Sequence, residues 1–357
     1  MRSATIAYAL LSVALLVTAC TGEPGTEAIT SDENPANQDT AMTGDAIQAT
    51  NEQGFTSVAV GVASLDDALA LWVNAFGFDV VRLQEGPDAE LSRLWKLGAD
   101  AIARQALLQT DDSGVGRLHL VEYQTPGPSI REGAEVFDLL PKNLDVYVDD
   151  LPRRAAELRA SGYEFRTETH SEVTAPDGTV FRELHMPVHD DINVVLLEVV
   201  GQSYPFTDRG FAGIGPLIFI SPDASADKDF LRDVLGLRQK SDNLLQGPEV
   251  ERMVGLPPGA GLDVSIWGGS DDELGGLEIV DYQGVEGSDR YPLARPGARG
   301  VLHVTFDVKD ASSIVERARQ AGAPVEETSS ARTLTGSGRV FTVTTPAGLR
   351  IELREPD

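Results

Sequence analysis

The chain is short of cysteine, lysine and histidine, and each shortage narrows what it can do. It has a single cysteine, Cys20, so the body that follows can carry neither a disulfide nor thiolate chemistry. Lysine occurs at only five positions among 29 basic residues, against a formal charge of −27. A nucleic-acid surface needs clustered Lys and Arg, so DNA and RNA are excluded as partners. Residues Thr21 to Gly54 carry seven carboxylates, no Lys or Arg, and no periodic apolar face. Residues 20–54 therefore read as a disordered acidic tether outside the fold. The Gly-rich stretch Gly268–Gly276 lacks a phosphate-loop lysine and reads as a turn.

What is present begins at the N-terminus. Arg2 precedes a mostly apolar run, Ile6 to Val17, too short to span a bilayer comfortably. Small residues then lead into the cysteine, as Val17-Thr18-Ala19-Cys20. This pattern resembles a bacterial lipoprotein signal peptide over residues 1–19, with Cys20 as the acylated position. It implies a protein held on a membrane by an N-terminal lipid anchor, in the bacterial cell envelope: outer membrane, periplasmic face or surface.

The body contains a long internal repeat. Leu71-Trp72-Val73-Asn74-Ala75-Phe76-Gly77-Phe78 aligns with Phe230-Leu231-Arg232-Asp233-Val234-Leu235-Gly236-Leu237, an offset of 236 − 77 = 159. Glu90 and Arg93 meet Glu249 and Arg252 at that offset, and Leu118–Gln124 meets Leu277–Gln283. Gly162 meets Gly322 at 160. The period is too long for a solenoid and marks a domain duplication. Each copy divides again into strand, helix and three strands. In the first unit Ser64 is placed to cap a helix whose apolar stripe is Leu65, Leu69, Trp72 and Phe76, and Gly77 ends it. The fold class is α+β, with copies at residues 55–202 and 212–356.

Two segments of the last unit carry a resemblance to a known family: His303-Val304-Thr305-Phe306-Asp307-Val308-Lys309-Asp310 and Thr345-Pro346-Ala347-Gly348-Leu349-Arg350-Ile351-Glu352-Leu353. With the fourfold unit they resemble the vicinal oxygen chelate superfamily, which includes glyoxalase I, extradiol dioxygenases and bleomycin-resistance proteins. The resemblance implies tandem modules, each of two βαβββ units forming curved mixed sheets with helices outside. In metal-dependent members a divalent metal sits in the cup. Its ligands come from the start of a unit's first strand and the middle of its last.

Carried over by position, these are Ser57, Asn143, Pro216 and His303 on first strands, and His119, Leu196, Glu278 and Glu352 on last strands. Of these, His119, Glu278, His303 and Glu352 are good ligand types. Two pairings stay open. If each copy forms its own cup, copy two offers Glu278, His303 and Glu352. If units one and four share a cup, the set is His119, His303 and Glu352, a two-His, one-carboxylate site suited to Fe(II) and acceptable to Mn, Zn or Ni. Alternation places His303, Thr305 and Asp307 on one face of their strand and Leu302, Val304, Phe306 and Val308 on the other. His185 and His189 are four apart, but Pro187 intervenes, and they read as a surface loop.

Two functions follow as expectations. One is a metal-dependent lyase, isomerase or dioxygenase acting on a small substrate with adjacent oxygens, the metal serving as Lewis acid and Glu352 or Glu278 as catalytic base. The other is a metal-free protein that binds or sequesters a small molecule in the envelope.

Overall fold

The structure is a computed structural model that describes residues 53–174, 178, 180–269, 273–328 and 330–357. The signal peptide, Cys20 and nearly all of the tether lie outside the described residues. Four units follow in order. The first is β1 (Ser57–Val62), α1 (Leu65–Leu69), β2 (Asp79–Glu85), α2 (Ala89–Leu94), β3 (Ile102–Gln109) and β4 (Arg117–Tyr123). The second is β5 (Pro141–Val148), α3 (Leu151–Ala160), β6 (Ser171–Thr174), β7 (Val180–Pro187) and β8 (Asn193–Val199). The third is β9 (Phe211–Ile220), α4 (Ala224–Asp229), β10 (Arg238–Gln246), α5 (Pro248–Val254), β11 (Gly261–Gly268) and β12 (Gly276–Gln283). The fourth is β13 (Gly300–Asp307), α6 (Ala311–Gln320), β14 (Val325–Glu327), β15 (Ala331–Thr333), β16 (Gly336–Thr344) and β17 (Arg350–Pro356).

The sheets do not follow the copies. One runs β14-β16-β17-β13-β1-β4-β3-β2, and the other β10-β11-β12-β9-β5-β8-β7-β6. Each mixed sheet therefore joins one unit from each copy: units one and four, and units two and three. The seams are antiparallel pairs, β1 on β13 with Ala59 opposite His303, and β5 on β9 with Asn143 opposite Ile218. Of the two pairings left open by the sequence, the exchanged one is realised.

The outer faces of both sheets feed one apolar core under the helices. Val58, Val60, Leu118, Val304, Phe306 and Ile351 come from one sheet, and Leu144, Val146, Leu217, Phe219 and Ile279 from the other. Trp72 and Phe76 are fully buried in it, edge-to-face with ring centroids 5.4 Å apart. The Ser64 cap is present: its hydroxyl accepts from the Asp67 N–H at 3.2 Å, an interaction worth roughly 1 kcal/mol. The helix it opens widens after Leu69 into a π-helix, Ala70–Ala75, and the third unit does the same at Phe230–Val234. Both then end on a glycine in the left-handed region, Gly77 at φ 78° and Gly236 at φ 71°, where a Cβ would be strained.

One alternation expectation fails. A bulge in β13 skips Leu302, so that Ala59 pairs with His303 and Val60 with Val301. Leu302 thus turns to the cup side beside Ala59 and Trp95, while Val304 and Phe306 stay with the outer core. The expected surface loop is likewise not found around His185. That residue lies on β7 and is 4% exposed, because Pro187 ends the strand rather than interrupting it. His189 sits in the following turn and accepts the Trp72 indole N–H at 2.9 Å.

Candidate functional sites in two cups

The cup of units one and four gathers three of the predicted residues. His119 lies on β4, His303 on β13 and Glu352 on β17, and all are buried. His303 Nε2 is 3.5 Å from Glu352 Oε1. The Trp95 indole N–H donates to the same oxygen at 3.0 Å, and Arg350 stands 3.6 Å from it. The Trp95 ring packs against both imidazoles, edge-on to His303 with centroids 5.2 Å apart and tilted to His119 at 5.9 Å. Ser57 is buried on the neighbouring strand.

A polar chain fixes His119. The Gln105 amide group donates to Asp88 at 2.7 Å and to Gln84 at 3.2 Å, which leaves its oxygen facing His119 Nε2 at 2.8 Å. His119 is therefore the donor, a neutral imidazole protonated on Nε2. Burial and the neighbouring His303 push its pKa down to about 3. Burial opposes ionisation of Glu352, but His303, Arg350 and the Trp95 indole outweigh it and hold that carboxyl at about 2.

These donors do not fit a metal as they stand. His119 Nε2 is spent on Gln105 and Glu352 Oε1 on Trp95, while His303 Nδ1 is buried without a partner. Among the described residues no three His, Cys, Asp or Glu side chains are grouped to hold a metal ion. The space between them is about 10 Å³, at most about one water molecule. Glu278, expected beside His303 and Glu352 if each copy closed on itself, is on the other sheet. The reason is the β1–β13 seam, which puts unit one where unit three would have to be.

The cup of units two and three is open, with a cavity of about 1170 Å³. Its walls are largely apolar, including Leu197, Ile218, Val264, Ile266 and Trp267. Asp145 from β5, Glu183 from β7 and Glu278 from β12 also line it. Asn193 donates to His185 Nδ1 at 3.0 Å, so His185 Nε2 carries the proton and donates to Glu183 at 2.7 Å. Asp145 Oδ1 is buried with no partner. Burial, reinforced by Glu183, raises Glu278 to about 8. Burial together with Glu278 and Glu183 raises Asp145 well above the carboxylate range. Lys142, whose amine meets the Tyr282 hydroxyl, is buried beside them and pushed well below its usual value, by desolvation first and then by Arg131 and Arg166. A site with neutralised carboxyls and apolar walls can take up a small organic molecule.

Sequence reasoning missed Asp145, Glu183, Gln105 and Trp95. The signal was alternation: Asn143, Asp145 and Tyr147 share one face of β5, but a polar face on a strand is ordinarily solvated. Only closure of the sheet makes it an interior.

Residues 213–353 match the model of the Glyoxalase/Bleomycin resistance protein/Dioxygenase superfamily. No curated protein sequence matches the chain. Glyoxalase I from Zea mays shares the fold at a TM-score of 0.58 and 13% identity, over 85% of this chain and 93% of that one. A candidate dioxygenase from Bacillus subtilis does so at 0.52 and 12%, over 86% of each chain. At these identities the likeness is one of fold: two curled mixed half-barrel sheets in the tandem vicinal-oxygen-chelate arrangement. Together the family match and these neighbours support the superfamily.

Proposed function

We propose that this protein is a metal-free small-molecule-binding member of the superfamily, and that its ligand cup is the one built from units two and three. The observation that carries this reading is the contrast in filling. About 1170 Å³ is free around Asp145 and Glu278, against about 10 Å³ around His119, His303 and Glu352. The metal-dependent lyase, isomerase or dioxygenase reading would draw on the second trio, of which His119 is engaged by Gln105 and Glu352 by Trp95. In the binding reading those residues are a buried polar centre that holds a sheet closed.

Nile red, an apolar fluorescent probe, tests the cup. The full chain carrying Cys20→Ala, free of acyl groups, should bind about one probe per chain. Ile218→Trp, which thrusts an indole into the cavity, should remove at least nine-tenths of that signal while circular dichroism keeps the same fold. Undiminished binding in the variant, or none in its parent, would sink the proposal.

The lipid anchor belongs to the same reading: a tethered cup would hold its ligand at the envelope. It rests on Arg2, the apolar run from Ile6 to Val17 and the sequence Val17-Thr18-Ala19-Cys20. Labelled palmitate fed to expressing bacteria should enter the protein and be lost in Cys20→Ala. Equal labelling of both would remove the anchor from the account.

A further inference from the structure

We propose that the cup of units two and three takes an organic cation: an apolar, ring-bearing body with a primary or secondary ammonium that reaches Asp145 and Glu278. The inference deepens the binding-protein reading and rests on it. Its first support is the sign of the lining. Seven carboxylates and a single ammonium, that of Lys240, line the cavity. Several carboxylates are already answered: Glu172 by Arg182, Glu249 by Arg252 and Glu183 by His185. Among the described residues no ion pair reaches Asp145 or Glu278.

The second support is independent of charge. Two buried oxygens on the lining residues have no hydrogen-bond partner, Asp145 Oδ1 and Asn243 Oδ1. The Asn243 amide oxygen is an acceptor, and Asp145 Oδ1 is one whenever its carboxyl is ionised, so what the pair lacks is a donor, and leaving a buried acceptor unmet costs about 1–3 kcal/mol. A ligand with N–H groups supplies donors, and an ammonium supplies them with charge. An anionic ligand would meet the Asn243 oxygen lone pair to lone pair and would disfavour ionised Asp145.

The groups around the floor fit this. Lys142 is turned to Tyr282, Glu183 is held by His185, and Arg131 is spent on the Lys142 carbonyl and the Asn143 side chain. The floor's own cation is therefore not directed at Asp145. An arriving ammonium is the counter-charge and the donor that the carboxyls of Asp145 and Glu278 lack within the protein. The walls suit the rest of the ligand: Trp267 and Tyr147 line the cavity, and Tyr204 stacks on Tyr147 at 4.0 Å. Aromatic faces attract cations as well as apolar rings.

A matched series decides it: 2-naphthylmethylamine, 2-naphthalenemethanol and 2-naphthoate, titrated calorimetrically into the full chain carrying Cys20→Ala at pH 7. The amine should bind at least tenfold tighter than the alcohol, and the carboxylate weakest. Asp145→Asn should erase the amine's advantage over the alcohol, while circular dichroism keeps the parent's fold. Equal affinity for amine and alcohol, with Nile red still bound, overturns the cation and spares the cup. Failure of all three ligands and of Nile red overturns the cup itself. An amine preference that survives Asp145→Asn overturns the assignment to this floor.

Discussion

The two cups share one topology and differ in what fills them. At the offset of 159 that relates the copies, Trp95 corresponds to Val254, Gln105 to Val264 and His119 to Glu278. In the first cup the Trp95 indole packs edge-on against His303 and tilted against His119, and Gln105 answers His119. The β15 strand closes over α2, where Glu90 accepts from the Arg332 N–H at 2.6 Å and Arg93 donates to the Ser330 carbonyl at 3.0 Å. In the second cup the equivalent of Trp95 is a valine, the equivalent of Gln105 is apolar, and the space remains. The lesson is that an indole, a glutamine–histidine pair and a covering strand together make a packed polar centre where the other cup, lacking them, keeps a ligand cavity. Filling, rather than the inventory of ligand-type residues, tells the cups apart.

The largest test of that comparison is to exchange the residue. Trp95→Val removes an indole that is 5% exposed and a hydrogen bond to a buried carboxylate, and should cost about 3–5 kcal/mol. A fall in urea midpoint should read this out. If the indole helps to shut the first cup, the variant should take up a small apolar probe, xenon or benzene, in the vacated space. A neutral effect on stability would show that Trp95 is not the plug.

Next comes Glu352→Gln. The native carboxyl, held at about 2, ionises more readily than in the unfolded chain. Its contribution is therefore present above about pH 4.3 and lost as pH falls toward 2, and amounts to roughly 3 kcal/mol. The variant should lose that much near neutrality and little at pH 2. A parallel loss at both would mean that the charge of Glu352 does not matter to the fold.

The remaining effect has the opposite sign. Glu278, raised to about 8, favours the folded state while protonated, and that advantage fades as pH climbs from about 4.3 through 8. Glu278→Gln should therefore raise the melting temperature by a few degrees at pH 8 and leave it unchanged at pH 4. A drop at pH 8 would indicate that a charged Glu278 is tolerated and paired.

Local pattern made much of this legible. Ser64, Leu65, Trp72, Phe76 and Gly77 announce the first helix, and it forms, although its last turns widen into a π-helix that periodicity does not reveal. His119, His303 and Glu352 were legible as candidates because ligand types fell on matching slots. Their engagement by Gln105, Trp95 and Arg350 was not, since those partners come from residues up to 257 positions away. Asp145 and Glu183 were invisible for another reason: a carboxylate on an amphipathic strand looks the same whether its face meets water or a cavity.

By itself the sequence determined the duplication, the fourfold strand–helix unit and the acidic, single-cysteine character of the chain, because these depend on residue order and local periodicity. Only the tertiary structure decided which units share a sheet, which cup is shut, and that Asp145 and Glu278 face a cavity. Those outcomes depend on edge-strand pairing between distant segments and on how the side chains and the β15 cover brought in by that pairing fill one cup and not the other. Both are long-range steric facts that no local pattern records.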